Sequence, residues 1–275
     1  TISWDQAIDE IGARIRAIVA RDGADAIAHL VGSAGGANLL APIFRNAFYK
    51  ALGSRTMFGT GTCDTTNKFR VCEDMYGSPF QLSYPDVQRT QFLAVLGANP
   101  AVSGNTLYHL PHPVQRLKDI VRRGGRVVFV NPRRIESAQA GEHLFIRPDT
   151  DVFLLAAWCN ELIRTGGVAR ERVERYTKGF AELQQTVADW TVERQAAVTG
   201  VSAEALRDLV ASHRKAGGAG LYMATGVNQG RSGTLCFWLL ECINAISGNF
   251  DRAGGMLMGQ GIVDMAGEVK RAGEV

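Results

Sequence analysis

Apolar and polar positions along this chain form short unbroken apolar runs separated by amphipathic stretches. FLAVLG stops at Gly97 and RVVFV stops at Asn131-Pro132, and both runs read as buried strands. Between them VQRLKDIVRR spaces Val114, Leu117, Ile120 and Val121 at helical intervals and ends at Gly124-Gly125. Strand, helix and strand in that order form a βαβ unit, which predicts a parallel sheet with covered faces. In open parallel sheets, ligands sit outside the carboxyl ends of the strands. Those ends are Gly97-Ala98-Asn99-Pro100 and Asn131-Pro132-Arg133-Arg134. They read as the rim of a nucleotide site.

The other segments are placed around that rim. Residues 4–19 predict an amphipathic helix with Ile8, Ile11, Ile15, Ile18 and Val19 as its stripe, Ser3 as cap and Gly23 as stop. AIAHLVG (26–32) predicts a buried strand, followed by the small turn Ser33-Ala34-Gly35-Gly36 and a helix over 38–52. A Gly/Thr-rich loop then leads to a helix starting near Asp64 or Thr65, with Phe69, Val71, Cys72 and Met75 as its apolar side. HLFIRP (143–148) predicts a strand, and Asp149-Thr150-Asp151 starts the next helix. Residues 168–216 read as a helical surface excursion with caps at Thr199 and Ser202. GLYMATG (220–226) predicts a strand, 227–233 a polar turn and 234–246 a helix stopped by Gly248. The strand-turn-helix layouts of 26–52 and 220–246 match, which suggests one sheet for those two strands and a second sheet for 89–166.

Composition narrows the function classes. The 275 residues are 46% apolar and 21% charged, with a net charge of +3 from scattered Lys and Arg. A nucleic-acid partner would favour a concentrated basic face instead. No apolar run approaches a membrane span, since FWLL is cut by Glu241 and VFLLAAWC by Asn160. None of the five cysteines forms a C-x-x-C pair. Cys159, Cys236 and Cys242 sit in apolar helical patterns, whereas Cys63 and Cys72 lie in a more polar stretch. LGANPAVSG lacks the G-x-G-x-x-G fingerprint of a nicotinamide dehydrogenase. The TISWDQA start and the AGEVKRAGEV end read as cuts from a longer chain, so no compartment follows from them.

Five motifs in order resemble the molybdopterin-dinucleotide oxidoreductases, the dimethyl sulfoxide reductase family. SWDQAIDEI is similar to the segment after that family's iron–sulfur domain, and LGANPA (96–101) to its first cofactor loop. VNPRR (130–134) resembles its Asp-Pro-Arg motif and RPDTD (147–151) its Pro-Gly-Thr-Asp motif. GVNQGRSG with NAISGNFDRAGG (244–255) resembles its closing strand, helix and Gly-rich turn. The implied fold is α/β with two Rossmann-like parallel-sheet domains. One is discontinuous (1–88 with 217–275) and the other is inserted (89–216).

The resemblance implies the central part of a catalytic subunit. Its cofactor would be molybdenum or tungsten held by two molybdopterin guanine dinucleotides, with an iron–sulfur cluster in a domain upstream. The implied partners are a small-molecule substrate and an electron-transfer subunit or carrier. Asp64 lies thirteen positions before Gly77, the family's spacing for the side chain that completes the metal shell, and Cys63 is the second candidate. Asp64 as a simple helix cap is the competing reading. Asp151 would face guanine donors or cap its helix, and Arg133 would suit phosphate. Gly97, Asn99, Gly226, Asn228 and Gln229 would line the base, pterin or phosphates. Asn131 stands where the family has Asp, and Asp149 where it has Gly. The first removes a charge from the rim and the second adds one. A non-catalytic cofactor-binding or assembly module is the alternative function, with a nicotinamide-dependent dehydrogenase ranked behind it.

Overall fold

The computed structural model of the protein describes residues 1–32, 40–104, 106, 107, 110–259 and 267. The turn expected at Ser33–Gly36 lies outside them. The chain divides into two compact units, Thr1–Thr62 and Cys63–Val275.

In the first unit, α1 (Trp4–Asp22) starts where Ser3 accepts from the Gln6 amide and stops at Gly23, whose φ is +87°. A 3-10 turn (Ala24–Ala26) precedes β1 (His29–Val31), which is shorter than AIAHLVG predicted. After α2 (Leu40–Leu52), β2 (Met57–Gly59) pairs with β1 in parallel, where a loop was expected. The Asp25 carboxylate joins the approaches to the two strands, accepting from the Arg55 amide at 2.7 Å and pairing with its guanidinium at 2.8 Å. Ile8 and Ile11 of the predicted stripe are 62% and 58% exposed, and β1 is not the buried strand expected.

Helix α3 (Gly61–Asp64) spans the boundary in sequence, and α4 (Thr66–Tyr76) opens the second unit. A short antiparallel pair follows from β3 (Ser83–Pro85), whose partner is the late strand β8 (Met256–Met258). The main sheet holds β4 (Phe92–Leu96), β5 (Arg126–Asn131), β6 (Glu142–Phe145) and β7 (Ala219–Met223) in the order β6-β5-β4-β7, all parallel. Thus β7 pairs with β4, not with β1 as its matching layout suggested. Every residue of β4 is buried, and a central strand needs a hydrogen-bonded neighbour on each side.

Period-two alternation divides this sheet between two cores. Leu93, Val95, Val127 and Phe129 face α5 (Pro113–Arg122) and the 3-10 turn Glu136–Ala140. Phe92, Ala94, Leu96, Val128 and Val130 face α6 (Asp151–Arg164) and α12 (Gly233–Ile246), the latter stopped near Gly248 at φ +76°. The helices α7 (Arg170–Tyr176), α8 (Phe180–Val187), α9 (Val192–Thr199) and α10 (Ala203–Lys215) occupy the predicted helical region. They are more than a surface excursion, because Val173, Leu183, Val192 and Leu206 belong to the same core. Ser202 caps α10 as expected, but Thr191 caps α9, and the expected cap Thr199 is instead buried with its hydroxyl on Gln195. The polar turn after β7 begins as a one-turn helix, α11 (Thr225–Asn228).

Candidate functional site

The carboxyl ends of β4, β5 and β7 are in register, with Leu96 beside Val130 on one side and Met223 on the other. Their loops therefore share one rim. At its centre two glycines meet backbone to backbone. Gly97 has φ +57°, and its carbonyl accepts from the Gly226 amide at 2.9 Å. A Cβ on Gly226 would fall 2.7 Å from that carbonyl oxygen, and a Cβ on Gly97 would fall 2.6 Å from the Val227 nitrogen. Only glycine permits this approach.

Asp64 lies at the corner between α3 and α4. The Asn228 side-chain amide donates to the Asp64 carbonyl at 2.6 Å, and the Gln229 amide donates to its carboxylate Oδ1 at 2.9 Å. Asn67 donates in turn to the Asn228 carbonyl at 3.3 Å. Asp64 closes α3, Thr65 occupies the cap position of α4 without a side-chain cap bond, and the Asp64 carboxylate meets Gln229. Asn228 is 7% exposed, and its Oδ1 is buried with no hydrogen-bond donor among the described residues. An orphaned buried acceptor costs free energy unless a further donor arrives.

Asp149 reaches the same segment from α6's side. Its φ of +62° is tolerated by a short polar side chain. Its Oδ1 accepts from the Arg231 amide at 2.9 Å, and Oδ2 lies 3.5 Å from the Arg231 guanidinium. Asp64 and Asp149 therefore flank the run Gln229-Gly230-Arg231. Asp151, in the first turn of α6, is buried, and burial pushes its carboxyl up to about 6, with the Asp149 charge adding to the shift.

On the β5 side, Asn99 ties the β4 loop to the following 3-10 turn. Its Oδ1 accepts from the Ser137 hydroxyl at 2.7 Å and amide at 3.2 Å, and its amide donates to Glu136 at 2.5 Å. Asn131 is buried with its side-chain amide 3.5 Å from the Ala98 carbonyl. Arg133 is exposed and pairs at 3.2 Å with Glu136, the same carboxylate that Asn99 meets. Cys63 is exposed and is not joined to the Asp64 network among the described residues.

The sequence reading missed Lys68. It is 5% exposed, donates to the Met223 carbonyl at 2.5 Å and lies 5.1 Å from the ring centres of Tyr222 and Phe237. A signal existed, because Lys68 shares the helical spacing of Val71, Cys72 and Met75. Among the described residues no group of three or more His, Cys, Asp or Glu side chains could hold a metal. A metal here would take most of its ligands from a cofactor. The orphaned Asn228 acceptor, the buried Asp151 carboxylate and the glycine floor suit a group that carries N–H donors and flat rings. No helix of the described residues is long and apolar enough to cross a membrane.

Comparison with known proteins gives a consistent answer. Thiosulfate reductase molybdopterin-containing subunit of Salmonella typhimurium is 29% identical over 266 residues, covering 93% of this chain and 32% of that protein. Formate dehydrogenase H of Escherichia coli is 24% identical over 261 residues, covering 91% and 34%. The solved structure of acetylene hydratase from Pelobacter acetylenicus superposes with a TM-score of 0.73 at 22% identity, over 94% of this chain and 34% of that one. That likeness shows the shared α/β fold. The chain thus spans about a third of the length of these relatives. The family model for molybdopterin oxidoreductase matches residues 1–273, and the chain belongs to that family.

Proposed function

We propose that this chain is the central cofactor-holding part of a molybdenum or tungsten oxidoreductase that performs a two-electron redox reaction on a small molecule. The cofactor is a pair of molybdopterin guanine dinucleotides. When bound, the group supplies a metal centre that changes oxidation state by two electrons. The chain's share is to bind, orient and enclose it. Asp64 offers the side-chain ligand, with its carboxylate oriented by Gln229, and Cys63 is the second candidate. The Asn228 acceptor takes a ring N–H, and Asp151 accepts from the N1 and N2 donors of guanine. Gly97 and Gly226 let rings or phosphates come close to backbone amides, and Asn131 and Asn99 bound the β5 side. Asp149 keeps Gly230 and Arg231 in place, and Arg133 can leave Glu136 for a phosphate. An iron–sulfur cluster upstream and an electron-transfer partner complete the reading.

The observation that carries this reading is the buried Oδ1 of Asn228, without a donor among the described residues, beside Asp64 on a rim that joins turns far apart in the chain. The test is metal analysis with pterin fluorescence on the purified intact protein, paired with Asp64→Ala. Expected are bound metal and pterin in the wild type, and retained pterin with turnover abolished in the variant. Unchanged turnover rejects Asp64 as ligand. An intact protein without metal or pterin favours a non-catalytic assembly module.

A further inference from the structure

An ammonium group is costly to bury, and an apolar residue at position 68 would pack beside Val71 and Cys72 without that cost. Lys68 is nevertheless buried in the first turn of α4, and its bond goes to the last residue of β7. The next residue, Ala224, begins the turn that carries Gly226, Asn228 and Gln229. The same short segment grips that turn at further points, through Asn67 on the Asn228 carbonyl and through Asp64 on the Asn228 and Gln229 amides. The rings of Tyr222 and Phe237 enclose the ammonium. Burial lowers its pKa to about 8, and the nearby Glu241 charge opposes that shift.

We infer that Lys68 is a positioning residue: its buried ammonium clamps the carboxyl end of β7 to the first turn of α4 and so sets where Asn228 and Gln229 stand against Asp64. The functional meaning of this clamp rests on the proposed cofactor site, but the clamp itself can be tested without it. Lys68→Met keeps the aliphatic stem and removes the donor. Cys72→Ala is the control, since it removes a buried neighbour on the same helix that makes no bond to the turn.

Amide hydrogen exchange is followed in the intact protein at 224–230 and at 92–96. With Lys68→Met, exchange at 224–230 should rise about tenfold or more while 92–96 holds its protection. Cys72→Ala should leave 224–230 within about twofold of wild type, because it loses packing and no bond to the turn. A wild-type exchange rate in Lys68→Met overturns the inference, and so does an equal rise in both variants. Should Lys68→Met fail to fold, Lys68→Leu, which also lacks a donor, is judged by the same criterion. Bound pterin per chain, measured on the same samples, should fall with Lys68→Met and hold with Cys72→Ala. A wild type without pterin counts against the cofactor reading and leaves the exchange comparison to decide the clamp.

Discussion

Replacing Gly226 with alanine probes the contact on which the rim depends. The new Cβ would lie 2.7 Å from the Gly97 carbonyl oxygen and 2.9 Å from its Cα, so neither neighbour is a side chain that can swing away. The two turns must separate, and the 2.9 Å bond from the Gly226 amide to the Gly97 carbonyl breaks. Losing a backbone hydrogen bond costs about 1 kcal/mol, and overpacking adds about 1–3 kcal/mol. A loss of about 3 kcal/mol should lower the melting temperature of a unit this size by about 6–12 °C. Gly97→Ala should cost about 1 kcal/mol more, because φ at that position is +57°. Gly104 is the control, since an added methyl group there would meet nothing within 4 Å, and its alanine variant should stay within about 0.5 kcal/mol. Thermal and urea unfolding with matched pterin assays measure all three. A Gly226→Ala melting point within about 1 °C of wild type would refute the argument that backbone contact shapes the rim.

Two further predictions concern buried titrating groups. Asp151 has a folded carboxyl raised to about 6 from 3.8, so its charge disfavours folding as pH rises through that window. Asp151→Asn should therefore stabilise the cofactor-free protein at pH 7 by about 3 kcal/mol, and urea titrations at pH 4 and pH 7 should show the gain only at the higher pH. The same variant should weaken retention of guanine-bearing cofactor, which a nucleotide release assay measures. His213 accepts from the Trp158 indole at 3.1 Å and stacks on Phe92, and burial lowers its pKa to about 4 from 6.5. Above 6.5 both states are neutral there. As pH falls from 6.5 to about 4, the unfolded chain takes up a proton that the folded chain refuses, and about 3 kcal/mol of stability is lost. His213→Phe, with Trp158 intact, should flatten that part of the acid unfolding profile. An unchanged slope would exclude His213 as its source.

Local pattern carried much of the second unit. The fully buried runs at 92–96 and 126–131, the helix between them and the stops at Gly97 and Asn131 follow from periodicity and from small or polar residues at strand ends. The first unit was less legible. The Ile8–Ile11 stripe reads as buried because amphipathic spacing says only that a face is apolar, not that anything covers it. The strands at 57–59, 83–85 and 256–258 are three residues each, too short for any period to register. Lys68 was passed over because a lysine normally lies at the surface, and only the packing of α4 against β7 and α12 shows otherwise.

The sequence by itself determined the α/β class, the central strand-helix-strand unit, the residue types at the strand ends and, through ordered motifs, the family. The tertiary structure alone decided which of those residues meet. Asp64 touches Asn228 across 164 positions and Gln229 across 165, and Lys68 reaches Met223 across 155. It also decided that β7 closes onto β4 instead of β1. Periodicity reports which face of an element is apolar. Strand neighbours and cross-chain hydrogen bonds depend instead on the whole packed arrangement that buries those faces together, and no local window of sequence contains it.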